Sequence, residues 1–215
     1  FDMRRDNQQL FSIGGAVLEG GVVWRPPRMP LRLGFSASAP VTGKEIKASN
    51  ECPDALDCFG YILPRQVAVP WQVGIGAAWR FARTRWNKRV ETPFRDERAL
   101  TVAADVLVTG SLDDGYGVEA FVLKQLQPSG RKTAVSIRGG AEYEWFPGRL
   151  RLRAGSYWEP ARFPGVPGRL HGTGGVELSF YNFKVWGKPY RLRLSLIFDG
   201  ARRYANAGIS VGFWH

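Results

Sequence analysis

Two carboxyls and the arginines around them are the residues of this chain whose spacing invites chemistry. Glu142 and Glu144, in AEYEW, stand two apart, which places both on one face of a strand. A carboxyl pair of this kind can do general acid–base work. Arg138 precedes it, and Arg151 and Arg153 follow it across FPGR, so an ion-pair network is the expected use. The histidines are His171 and His215, and nothing is spaced to complete a four-ligand zinc site with either. His171, just after PARFPGVPGR, is expected at a surface or rim. Asp113 and Asp114, in SLDDGYG, bring too few oxygens for calcium and belong to a turn. No nucleophile elbow, P-loop or Gly-x-Gly-x-x-Gly element occurs. The chain is accordingly read as a non-enzyme, with no catalytic residue, metal site or cofactor. Cys52 and Cys58, in ECPDALDCFG, suit a small disulfide loop in an oxidising compartment, with two free thiols as the alternative.

These residues sit in segments of period two. Arg149 to Trp158 reads RLRLRAGSYW, and its alternation is that of a strand whose side chains point to opposite faces in turn. The pattern recurs between turn signals, with almost no helical period. Expected strands are Leu10 to Arg25, LRLGFSASAPV, VPWQVGIGAAWRF, ALTVAADVLVTG, TAVSIRGGAEYEW, the Arg149 segment, HGTGGVELSF, YRLRLSLIFDG and NAGISVGFW. That makes about nine, or ten if GVEAFVLKQL, inside the Ser111–Lys132 connection, also pairs. No linker or composition shift divides 1–215, so a single all-β domain is expected.

The chain has 215 residues, 13% aromatic with eight Trp, 23% charged, and 26 glycines, which is not a disordered composition. A net charge of +11 would ordinarily suggest nucleic acid. Here the basic residues are spread through strands and turns, and no nucleic-acid partner is expected. No apolar run reaches the length of a transmembrane helix. The mean hydropathy of −0.22 does not argue against membrane strands, whose alternation averages out. FDMRRDNQQL has no signal-peptide core and starts without Met, so the chain is read as a mature piece or a fragment.

The alternation leaves open which face is wet. In a soluble sandwich the leucines would meet a second sheet; in a membrane barrel they would meet lipid. Three features favour an antiparallel transmembrane β-barrel. The polar face mixes Gly, Ser and Ala with Arg80, Asp105, Arg138, Glu142, Arg151, Arg153, Glu177, Arg191 and Arg193, charges of both signs that can pair across neighbouring strands. The apolar face repeatedly ends in aromatics, among them Trp71, Phe81, Tyr143, Trp145, Trp158, Tyr190 and Phe198, as in interfacial girdles. Short connections (PPRMP, FPGR, WGKP), with the Trp86 turn longer than the rule prefers, alternate with longer ones, as periplasmic turns alternate with outer loops. The expectation that follows is that Leu150, Leu152 and Trp158 are exposed.

The strand order resembles the C-terminal part of the FadL family of outer-membrane channels for fatty acids and other hydrophobic compounds. The stretches that carry the resemblance are GGAVLEGGVVWRPPRMPLRLGFSASAPV, VAVPWQVGIGAAWRF, RGGAEYEWFPGRLRLRAGSYWEP and NAGISVGFW. They are patterns of strands and turns over most of the chain. Family members have about fourteen strands, within the range for such barrels, and an N-terminal plug. The resemblance implies that this chain is the C-terminal nine or ten strands of a larger barrel, without the plug. It departs from the pattern in ending on His215 after Phe213 and Trp214, where an outer-membrane signal usually closes on an aromatic.

What the resemblance implies for function is passive uptake of hydrophobic small molecules, such as fatty acids, across the outer membrane of a Gram-negative bacterium. The expected partners are outer-membrane lipid and a hydrophobic ligand, with the chain a monomer. The alternatives are a structural or interaction barrel and a soluble β-barrel or sandwich that binds a ligand.

Overall fold

The structure is a computed structural model, and it describes residues 16–43, 68–88, 94–112, 115, 123–125, 127–161, 165 and 167–214. Among these, every element is a strand: β1 (Glu19–Trp24), β2 (Leu31–Ser38), β3 (Val41–Thr42), β4 (Ala68–Val69), β5 (Gln72–Ala82), β6 (Ala99–Thr109), β7 (Ala134–Phe146), β8 (Leu150–Glu159), β9 (Arg169–Val185), β10 (Lys188–Ala201) and β11 (Tyr204–Trp214). Nine of them form one antiparallel sheet in the order β1-β2-β5-β6-β7-β8-β9-β10-β11. Each strand pairs with the next of the nine in sequence, so four connections lie at each end of the sheet. One end holds the β1–β2, β5–β6, β7–β8 and β9–β10 turns and is called the short-turn end below. The sheet is not closed, since β1 and β11 do not pair with each other.

Local chemistry explains the hairpins. At the β9–β10 turn Trp186 and Gly187 both have positive φ (47° and 76°), the backbone of a two-residue turn whose twist matches the flanking strands. At β7–β8, Arg149 donates its backbone N–H to Phe146 O at 2.9 Å, and Gly148 takes φ 70°. Register shifts fall between Glu144 and Phe146 and between Leu192 and Arg193.

Burial runs opposite to that of a soluble domain. Among the described residues the buried apolar side chains are Ala99 and Pro26, while Glu144, His171, Glu177 and Arg191 are buried at 1–6% exposure. Ile75, Phe81, Ile137, Phe180, Ile209, Val211 and Phe213 are each more than half exposed. In register, Gly76, Asp105, Arg138, Tyr157, His171 and Asp199 belong to one face, and Ile75, Val106, Ile137 and Trp158 to the other.

Several expectations need correction. Of the strand expected over Leu10 to Arg25, Glu19–Trp24 is a strand and residues 16–18 are not, while residues 10–15 lie outside the described residues. The strand expected at His171–Phe180 runs from Arg169 to Val185, because the tight Trp186–Gly187 turn lets pairing continue to the tip. Val41–Thr42 leaves β2 to pair with Ala68–Val69 as a separate two-stranded sheet. Trp158 is exposed, but Leu150 and Leu152 are half-buried. No second sheet covers them. Leu152 lies between Tyr143 and Val176, and Leu150 between Phe146 and Leu178, on adjacent strands of the same face, and these large neighbours shield them. Cys52, Cys58, Asp113, Asp114, His215 and most of GVEAFVLKQL lie outside the described residues.

Candidate functional site: the charged face of the sheet

The alternation of β7 to β10 sends every second side chain to one face, and hairpin register then decides which of them meet. Glu142 stands opposite Arg153 and Glu144 opposite Arg151 across the β7–β8 hairpin, while Arg151 stands opposite Glu177 on β9. Arg153 donates from Nε to Glu142 and from Nη2 to Glu177, each at 2.7 Å. Arg151 lies 3.5 Å from both Glu144 and Glu177, and Arg193 lies 3.1 Å from Glu177. Glu177 is therefore shared by three guanidinium groups, with its side chain 7% exposed. Glu144 also accepts from the Gly148 backbone N–H at 2.6 Å, which ties the cluster to the turn.

Arg191 sits at the same end, 5% exposed. It makes a bidentate pair with Asp96 at 2.6 and 2.7 Å and stacks over Phe94 at 4.1 Å. Asp96 belongs to the β5–β6 connection and Arg191 to β10, four strands from β6. Four strand spacings amount to about 19 Å along a flat sheet, and Asp96 is three residues from the start of β6, so the β5–β6 connection must reach back across the short-turn end of the charged face to make this contact. The other arm of that connection is fastened as well. Asn87 donates to the backbone oxygens of Pro26, Met29 and Leu31 and accepts from Arg32, which lies 4.0 Å over the Trp86 ring. Glu97 meets Arg80 at 3.2 Å and accepts from the Thr84 hydroxyl and backbone N–H. Burial raises the Glu97 carboxyl pKa, but the Thr84 hydrogen bonds and the Arg80 charge outweigh it and hold the group below the usual carboxylate range.

A second cluster lies toward the other end. His171 is 1% exposed, which corrects its expected place at a surface or rim. It alternates in phase with Glu177, so it points to the charged face. Its ring stacks on Tyr157 at 4.3 Å and meets the Tyr204 edge at 5.1 Å. Its Nδ1 lies 2.8 Å from Asp199 and its Nε2 3.1 Å from Glu159. Tyr157 donates to the other Asp199 oxygen at 2.7 Å, and Arg169 pairs with Glu159. Asp105 and Arg138 pair at 2.6 Å beside the His171 cluster, with Arg138 opposite Tyr157, and both are well exposed. Reading strand parity through to Tyr157, His171 and Asp199 would have found this cluster, since each is an even number of residues from a marked charge. No sequence signal points to Asp96.

Between the clusters the face forms a recess of about 630 Å³. Its floor includes Gly140, Gly155, Gly175 and Gly208, and its walls include Arg138, Glu142, Arg153, Tyr157 and Asp199. A Cβ at Gly155 would come within 2.9 Å of Gly139 O and of the Thr173 hydroxyl, so small residues hold the strands together here and keep the recess open. Among the described residues no group of three His, Cys, Asp or Glu is arranged to hold a metal ion. The arrangement offers ion pairing and a small-residue cavity. Compared with models of protein families, with curated proteins and with solved structures, the chain matches none.

Proposed function

We propose that this chain is part of an outer-membrane β-barrel that passes hydrophobic small molecules inward by passive diffusion, in keeping with its resemblance to the FadL family. One observation carries the reading: charged side chains are buried on one face of the sheet, and large apolar side chains are exposed on the other. Water would penalise that distribution by about 25 cal/mol per Å² of exposed apolar surface, whereas hydrocarbon satisfies it. Hydrocarbon also tolerates a sheet only where its edges are paired, so the reading requires partners for the outer edges of β1 and β11. The charged face lines the lumen, the short-turn end faces the periplasm, and the recess between the clusters is the space open to a ligand. Its carbon-rich glycine floor suits an apolar body.

The reading is tested in two steps. Full-length protein should fractionate with outer membranes and fold into phospholipid vesicles; recovery in the aqueous phase of a detergent partition would sink the barrel. Cells lacking the gene should take up a labelled long-chain fatty acid more slowly than cells carrying it. Equal rates, with the barrel intact, would leave a structural barrel instead.

A further inference from the structure

The net charge of +11 is not explained by the ion pairs of the charged face, which are close to balanced. Its excess lies in the short turns. Segments 25–30, 83–98, 147–149 and 184–188, at the short-turn end, hold eleven Lys or Arg and three Asp or Glu, whereas the connections at the other end (43–67, 110–133, 160–168 and 202–203) hold nine and seven. Two of the three short-turn acids, Asp96 and Glu97, are engaged by Arg191 and by Arg80 and Thr84. Arg25, Arg28, Arg85, Lys88, Lys184 and Lys188 are all exposed.

Each short turn also brings a tryptophan beside its cations: Trp24 with Arg25, Trp86 between Arg85 and Lys88, Trp145 near Arg149, and Trp186 between Lys184 and Lys188. Trp24, Trp145 and Trp186 are 57%, 50% and 96% exposed. Trp24 ends β1, Trp145 is the last but one residue of β7, and Trp186 tips the β9–β10 hairpin, so the aromatic–cation unit repeats along the whole arc of the sheet. A single protein partner would need one contiguous patch. An exposed unit repeated on three of the four turns, where the exposed apolar face ends, matches something that surrounds the wall. Tryptophan settles at the headgroup level of a bilayer, and lysine and arginine beside it attract anionic headgroups.

We propose that the short-turn rim is a binding surface for anionic phospholipid headgroups, with Trp24, Trp145 and Trp186 supplied to the interface and cations from every turn to the phosphate. The proposal rests on the membrane reading above. The probe is phosphatidylglycerol. Full-length protein is folded into bilayers of phosphatidylcholine with and without phosphatidylglycerol, and the lipids retained after extraction are counted by native mass spectrometry. Wild-type protein should retain phosphatidylglycerol preferentially, and the preference should fall with added salt. Neutralising Arg25, Arg28, Lys184 and Lys188 together to Gln should lower it at least about tenfold, since one near-surface charge is worth up to roughly fivefold. Arg202→Gln with Arg203→Gln, in the β10–β11 turn at the opposite end, should leave it unchanged.

Equal retention of the two lipids by folded wild-type protein would overturn the proposal. So would a preference that survives the fourfold change, one lost equally in the Arg202/Arg203 control, or cations found engaged by an acidic protein in place of lipid. Failure of the wild type to fold into any bilayer would instead remove the membrane reading itself, and this proposal with it.

Discussion

At the scale of single residues, Glu177 is the charge on which the short-turn cluster depends. Arg151, Arg153 and Arg193 all reach it, so its removal leaves three guanidinium groups facing one another where water is scarce. Breaking a buried ionic cluster from one side costs about 3–5 kcal/mol. Glu177→Gln should destabilise by an amount in that range. Glu142, 36% exposed and paired with Arg153 alone, can be replaced by Gln for about 1 kcal/mol or less. Urea unfolding in lipid vesicles measures both, and equal losses would mean that Glu177 is not shared as described. His171 shows the same logic in a neighbouring cluster. A side chain that would be costly to bury alone is held by two carboxylates and two aromatic rings.

At the scale of elements, the β7–β8 hairpin joins the cluster to the rest of the face. Gly148 holds φ at 70°, and a Cβ there would lie 2.5 Å from the Asp96 carboxyl carbon. Gly148→Ala therefore combines left-handed strain with a clash against the group that anchors Arg191. It should cost more than about 1 kcal/mol and shift the β5–β6 connection, detectable as faster hydrogen exchange at the Asp96 amide. The two faces of β8 give a second test. Leu152→Arg puts a charge on the apolar face and, in the membrane, should cost about 2–4 kcal/mol. Arg153→Leu should cost less, because Arg151 and Arg193 still balance Glu177 while Glu142 can hydrate. If a folding assay found the two substitutions equally tolerated, the assignment of faces would fail.

At the scale of the whole molecule, the open sheet exposes its apolar side and leaves the outer edges of β1 and β11 without a partner among the described residues. Placement in an outer membrane also implies an oxidising compartment, where a Cys52–Cys58 bridge would form. The loop it closes is short, so the bridge should contribute roughly 2–3 kcal/mol by chain-entropy reasoning. Mass measurement after alkylation without reductant should find neither thiol labelled in native protein; labelling of both would exclude the bridge.

What depends on period and nearness is legible in the amino-acid sequence. Alternation places the side chains of β2, β5, β6, β7 and β8 on their faces. A tight turn such as FPGR makes register a local matter, so Glu142 and Glu144 meet Arg153 and Arg151 without help from distant residues. The tertiary structure decided the rest. Asp96 reaches Arg191, ninety-five residues away, because the β5–β6 connection reaches back over the charged face, and nothing within that connection encodes which strand it will meet. Leu150 and Leu152 are half-covered because adjacent strands set Phe146, Leu178, Tyr143 and Val176 beside them, a matter of register across two pairings. His171 is buried because rings and carboxylates from β8, β10 and β11 converge on it, although its own neighbours in sequence place it next to a connection. Period is written in each segment, whereas convergence depends on how all the segments bend together.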